Sequence, residues 1–214
     1  MTTDVPLFPL GLVLLPGELQ PLHIFEPRYR ELAARCEEAD EPFVIAFHDG
    51  EGLRRVGCTT IITEVLERFP DGRSNILVRG ADPVALVAVH DVRAYRTADV
   101  ELLEDVPAEA SESLQRRALE AYAALLTDTP GRPKPEPPDA GPRLSYALAG
   151  RIEFDAEVKQ ELLEERDETR RLVTVARLIE QVHRGFRIAG EVQSRAMANG
   201  RVRTAEEIAA FLGL

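Results

Sequence analysis

Two His-Asp pairs, His48-Asp49 and His90-Asp91, and two cysteines, Cys36 and Cys58, are the first residues whose types suggest chemistry. A histidine beside an aspartate can share a metal or pass a proton, and a thiolate can ligate or attack. Their settings point elsewhere. Both His-Asp pairs fall where an apolar run meets turn residues, an ordinary place for His and Asp. No His-Glu-x-x-His or Cys-x-x-Cys spacing occurs, so no zinc-type ligand set is spelled out. Cys36 falls in a predicted helix and Cys58 in a predicted strand, which reads as two reduced, buried thiols. Ser74, Ser113 and Ser145 have no histidine at a telling spacing to activate them. Only two lysines occur, Lys134 and Lys159, against 24 arginines. A phosphate loop of the form G-x-x-x-x-G-K-[ST] needs glycines before its lysine and a hydroxyl after it. Pro135 and Gln160 follow the two lysines, and the glycines are missing. The expectation is a chain that is not an enzyme, with no cofactor and no metal. Glu161, Glu164, Glu165 and Glu168 form a dense carboxylate run, read as a solvated face near a helix start, where the dipole favours acids.

At 214 residues, with 44% hydrophobic and 29% charged residues, the chain can bury a good core as one domain or two small lobes. No apolar run approaches the roughly 18 residues of a membrane span. The start, Met1-Thr2-Thr3-Asp4, lacks a basic leader and is soon interrupted by Pro6 and Pro9, so a cytoplasmic location is expected. A net charge of −11 repels nucleic-acid phosphates overall. Residues 183–203 run against this balance, with five arginines and Glu191 as the sole acid. That segment reads as a solvated helix face paired with acids elsewhere, or as a surface for an acidic partner.

The elements that must carry these residues fall into two parts. Residues 1–105 read as β-rich. Leu14-Leu15 ends a short apolar strand at Pro16-Gly17, where Pro presets φ and Gly accepts φ > 0. Leu19 to Phe25 is a second strand. Glu26-Pro27 opens a helix, with Pro27 suited to the first helical position. Tyr29, Leu32, Ala33 and Cys36 then form an apolar stripe at i, i+3, i+4, i+7. Phe43 to Phe47 reads as a buried strand, and Val56 to Phe69 is rich in β-branched residues. Pro70-Asp71-Gly72 turns the chain back into Ser74 to Arg79 as a hairpin. Gly80-Ala81-Asp82-Pro83 reads as another turn, before strands at Val84 to Val89 and Tyr95 to Leu103. Such short strands with tight turns suggest a small, partly closed barrel.

Residues 106–214 read as helical. One helix starts near Ser111 or Ser113 with Leu114, Ala118, Ala121, Tyr122 and Leu125 on one face. Six prolines between Pro130 and Pro142 forbid helix or central strand, so residues 129–142 are expected to be an extended surface loop. A short helix follows near Ser145, another starts at Asp155, and a long one starts at Asp167, both aspartates being suitable N-caps. The long helix presents Leu172, Val175, Ala176, Ile179, Val182 and Phe186 for burial. Thr204-Ala205-Glu206-Glu207 spells a capping box near the end.

Three segments carry a family resemblance. The first is Leu14 to Arg30, with its Pro16-Gly17-Glu18 turn, strand and Glu26-Pro27-Arg28-Tyr29 helix start. The second is Gly57 to Gly80: a Val-Gly strand, a Pro-Asp-Gly hairpin and a Leu-Val-Arg-Gly return. The third is Lys159-Gln160-x-Leu162-Leu163-Glu164-x-x-Asp167-x-x-x-Arg171-Leu172. In that order they resemble the amino-terminal domain of the Lon proteases, also found alone in small bacterial proteins. The resemblance implies an α+β fold, a PUA-like β pseudo-barrel with one helix followed by a C-terminal helical bundle, the two parts forming one unit. It implies a protein- or peptide-binding module for substrate recognition, without ATPase or peptidase parts. The Ser–Lys dyad of the Lon peptidase has no counterpart here, with Lys134 in the proline loop and Lys159 in the third motif. The implied partners are unfolded or extended client proteins, a protease or ATPase in trans, and further copies of the chain. Because PUA-like barrels elsewhere bind RNA, a small-molecule or RNA binder is the alternative, with the net charge against RNA. Leu19, Phe25 and Tyr29 are the candidate peptide contacts, since they place large apolar side chains where strand passes into helix at the barrel edge. A peptide would add there as a strand. The competing reading is that all three are core, Tyr29 above all.

Overall fold

In the computed structural model the described residues are 1–107, 110–128 and 136–198, with side chains as far as Ile188. The strands are β1 (Thr2–Leu10), β2 (Leu19–Ile24), β3 (Phe43–His48), β4 (Leu53–Arg68), β5 (Ser74–His90) and β6 (Arg96–Leu102). They form one sheet in the order β2-β5-β4-β3-β1-β6, and a further pairing of β6 with β5 closes it. Five strands thus make a ring, with β2 added beside the first half of β5. The β1–β3 pair is parallel; the other pairs are antiparallel.

Alternation along the strands decides what fills the ring. Val5 and Leu7, Val44 and Ala46, Val84 and Leu86, and Ala98 and Val100 gather in one buried cluster, with Leu53 against it. The residues between them face out and are covered in two places. Helix α1 (Pro27–Ala39) lays Leu32, Ala33 and Cys36 on Phe8, Phe43, Ile45, Leu22, Ile24, Ile76 and Val78. It ends where Asp40 takes a left-handed conformation and its N–H reaches the Cys36 carbonyl.

The second cover is helical: α2 (Glu112–Asp128), α3 (Leu144–Ala149), α4 (Ala156–Glu164) and α5 (Glu168–Ala198). Ala118, Tyr122 and Leu125 of α2 pack with Leu172, Val175, Ala176 and Ile179 of α5. The same cluster takes in Leu162 and Leu163 of α4 and reaches Leu15, Phe47 and Cys58 of the strand region. The fold is α+β, barrel before helices, as the sequence leads one to expect.

Several local expectations change. Residues 11–15 are not a strand; Val13, Leu14 and Leu15 are buried in a loop, and the bend at Pro16-Gly17 has Gly17 at φ 79°. Gly80 to Pro83 is not a turn, because β5 continues through it with an irregularity in the ladder. The β4–β5 register slips there, between the Cys58–Pro83 and Thr60–Gly80 pairs. Thr59 Oγ1 accepts from the Asp82 N–H (2.9 Å) and donates to the Asp82 carbonyl (3.0 Å), satisfying the backbone where the ladder slips. Glu168 is buried, not solvated. Asp167 caps α5 through the N–H groups of Thr169 (2.8 Å) and Arg170 (3.2 Å), whereas Asp155 precedes α4 without a side-chain cap bond. Phe186, expected inside, is 50% exposed. The capping box at 204–207, residues 129–135 of the proline-rich segment, and the end of the basic segment beyond residue 198 lie outside the described residues.

Candidate functional site

Strand β2 sits at the end of the sheet and pairs with β5 alone among the described strands. Its alternation is clean. Leu22 and Ile24 point into the core, while Leu19, Pro21, His23 and Phe25 face outward. Leu19 is 55% exposed and Phe25 57%. Pro21 pairs with Leu77, and a proline is tolerated in a strand only where its nitrogen faces away from the ladder. The His23 ring stacks on Phe25 with centroids 5.8 Å apart and meets Phe69 edge-on at 6.0 Å. Its Nδ1 lies 2.7 Å from Asn75 Oδ1. The outward face is therefore an apolar strip with one polar pair in it.

Tyr29 looks another way. Its ring stacks on Phe8 (4.0 Å) beneath the Arg28 guanidinium (4.6 Å). Burial pushes the phenol's pKa up. It lines a cleft of about 430 Å³ together with Arg28, Arg93, Arg96, Tyr95 and Asp91. Leu19 and Phe25 thus share a face, and Tyr29 opens onto the cleft.

The residues that first suggested chemistry are held in structural roles. His48 Nδ1 accepts from the Gly50 N–H (3.4 Å), and Asp49 ties the following turn through the N–H groups of Glu51 and Gly52. Those backbone bonds hold the Asp49 carboxyl below its usual range. His90 reaches Asp99 at 3.2 Å, and Asp91 pairs with Arg96. Burial pushes the Cys36 thiol up to about 11 and the Cys58 thiol up to about 12. Ser145 Oγ donates to Glu168 (2.6 Å) and accepts from Arg171 Nε (2.7 Å), with no histidine against it. Among the described residues no group of three or more His, Cys, Asp or Glu could hold a metal ion, and no helix is long and apolar enough to cross a membrane.

A family model for the substrate-binding domain of the ATP-dependent protease La (LON) matches residues 4–181. The chain belongs to the LON substrate-binding domain family. It is similar to the crystal structure of a Lon N-terminal domain protein from Xanthomonas campestris, with a TM-score of 0.63 and 26% identity. That match covers 82% of this chain and 97% of the other. It is also similar to the N-terminal domain of the Mycobacterium avium complex Lon protease, with a TM-score of 0.58 and 22% identity over the same shares of the two chains. The second likeness speaks for the fold alone.

In this LON substrate-binding domain the motif residues are joints. Lys159 Nζ donates to Glu18 Oε1 at 2.5 Å, and Glu18 Oε2 accepts from the Leu15 N–H at 3.0 Å. Gln160 donates to the Val56 carbonyl of β4 and to Glu164. Arg171 is fully buried. It is bidentate to Asp105 (3.1 and 3.0 Å), bonded to Glu168 (2.6 Å), and stacked on the Tyr146 ring at 3.8 Å. Sequence reasoning placed Lys159, Gln160 and Arg171 in the family pattern but not their partners. The arginine-lined cleft it missed altogether, since Arg28 is separated from Arg93 and Arg96 by most of the barrel and shares no motif with them.

Proposed function

We propose that this domain is a non-catalytic module that holds extended, apolar segments of client proteins, with Leu19 and Phe25 as contacts on the outward face of β2. One observation carries the reading: an end strand presents two large apolar side chains, each more than half exposed, on a single face. A strip of this kind suits a partner with apolar side chains. An extended segment would lie along β2, alternate side chains meeting Leu19 and Phe25. Pro21 leaves one backbone donor missing on the free edge, so side-chain contact outweighs ladder pairing. This favours loose selection by apolar character over one fixed sequence. Tyr29, the third candidate contact, faces the arginine-lined cleft and stands apart from this strip. Residues 1–105 and 106–214 act as one unit in this reading, in the cytoplasm, delivering clients to a protease or ATPase in trans.

The test uses Leu19→Ser and Phe25→Ser separately, with reduced, carboxymethylated casein as the unfolded substrate. Both variants should melt with the parent, since neither side chain is buried, and both should bind more weakly. An inert parent, or binding that falls only as far as stability falls, would remove the reading.

A further inference from the structure

The geometry points to a second binding site, the cleft of about 430 Å³ between the start of α1 and the β5–β6 turn, which takes carboxylate side chains of an extended acidic peptide. The volume falls within the roughly 300–1,000 Å³ of ligand sites. Over the whole chain acids outnumber bases, 37 to 26. Here the order reverses: Arg28, Arg93 and Arg96 line the cleft against Asp91 as the one lining acid. They come from three places, the first turn of α1, the β5–β6 turn and the first residue of β6.

The guanidiniums are held but not saturated. Arg28 sends Nε and Nη2 to the same Glu26 oxygen (2.9 and 2.6 Å). Arg93 gives Nη2 to Asp4 (2.7 Å), and Arg96 gives Nε to Asp91 (2.8 Å). A guanidinium has five N–H donors, so these bonds leave each one able to take a further acceptor. The pairs are solvent-exposed and weak enough for a ligand carboxylate to share. The floor is firm. Tyr95 is buried, its hydroxyl accepting from Arg35 (3.3 Å), and Tyr29 is stacked on Phe8. Pro9 and Leu10 complete an apolar wall beside the charges.

This combination selects the ligand. A planar carboxylate matches the fork of an arginine. Three forks around one cleft suit more than one carboxylate, and the tyrosine–proline wall suits an apolar side chain between them. A long polyanion is disfavoured, because a net charge of −11 repels it at a distance. The site stands independently of the β2 reading.

The experiment is a heteronuclear NMR titration of the full chain with a blocked peptide carrying Asp-Phe-Asp. Shifts are expected at the backbone amides of Tyr29 and of Arg93 to Arg96. The Asn-Phe-Asn analogue should bind about tenfold more weakly. Arg28→Gln and Arg96→Gln should each weaken the Asp peptide about fivefold, at unchanged melting temperature. Leu19→Ser and Phe25→Ser should leave it unaffected, which separates this site from the β2 surface. Equal binding of the Asp and Asn peptides, absence of shifts at Arg93 to Arg96 at millimolar peptide, or tighter binding of inorganic phosphate would each overturn the proposal.

Discussion

Lys159 and Glu18, 141 residues apart in sequence, form an ion pair of 2.5 Å with side chains only 12% and 8% exposed. Glu18 follows the Pro16-Gly17 turn, and Lys159 lies on α4. Two segments that mark the family in sequence therefore meet in space, and their meeting fastens a helix to the barrel. Glu18 also accepts the Leu15 N–H, which locks the buried loop leading into the turn.

Breaking this pair from one side should be expensive. Lys159→Met leaves the Glu18 carboxylate buried without its cation and should cost about 3–5 kcal/mol in urea unfolding. The Glu18→Gln, Lys159→Met double variant should be more stable than the sum of the single losses implies. Strict additivity would show that the two groups do not act together.

The turn docks on β5 through backbone. The Gly17 N–H donates to the Gly80 carbonyl (2.9 Å), and the Gly80 N–H donates to the Glu18 carbonyl (3.0 Å). A Cβ at Gly80 would run into the Leu15 carbonyl, which is backbone and has nowhere to move. Gly17 instead has open space around it and needs only its positive φ. Gly17→Ala should therefore cost about 1 kcal/mol, and Gly80→Ala clearly more. Matching losses in denaturant titrations would contradict this account of the turn.

Leu163 on α4 is buried, while Leu66 on β4 is 49% exposed. Leu163→Ala should lose about 2–5 kcal/mol by leaving a cavity. Leu66→Ala should stay within about 0.5 kcal/mol of the parent. Chemical denaturation of the two variants side by side checks the contrast.

Alkaline pH should expose the buried acids. Burial raises Cys58 from 9.0 to about 12, Cys36 from 9.0 to about 11, and Tyr146 from 10.0 to about 12. The folded chain then holds these protons after the unfolded chain has released them. Their stabilisation is fully present below about pH 9 and is lost as pH rises through about 11 and 12. Urea midpoints should be flat from these groups near neutrality and decline above about pH 9. Near pH 8 an aromatic disulfide reagent should label neither thiol in the folded protein and both in urea. Prompt labelling of Cys58 in the native state would contradict its burial.

Much of the fold could be read locally. The Pro16-Gly17 bend, the alternation of β2, the stripe of Leu32, Ala33 and Cys36, the cap at Asp167 and the seam of Leu172, Val175, Ala176 and Ile179 each depend on residues a few places apart. Turn dihedrals and the periods of helix and strand are properties of the chain itself. What escaped local reading depends on distant partners. Gly80 to Pro83 carries every mark of a turn, yet Thr59 supplies the bonds that let β5 continue. Glu168 looks like one more solvated carboxylate until Ser145 and Arg171 enclose it. Phe186 keeps the helical spacing of a core residue, but α5 has passed beyond the packing that would cover it. Leu19 and Phe25 could be named from sequence; that they share an exposed face was decided by β2 lying at the end of the sheet. Arg28, Arg93 and Arg96 became one cleft only when the ring closed. The sequence by itself determined most of the elements, through backbone preference and hydrophobic period. Only the tertiary structure decided which charges are buried in pairs and which surfaces stay open, because desolvation and Coulomb energy depend on distance in space, not along the chain.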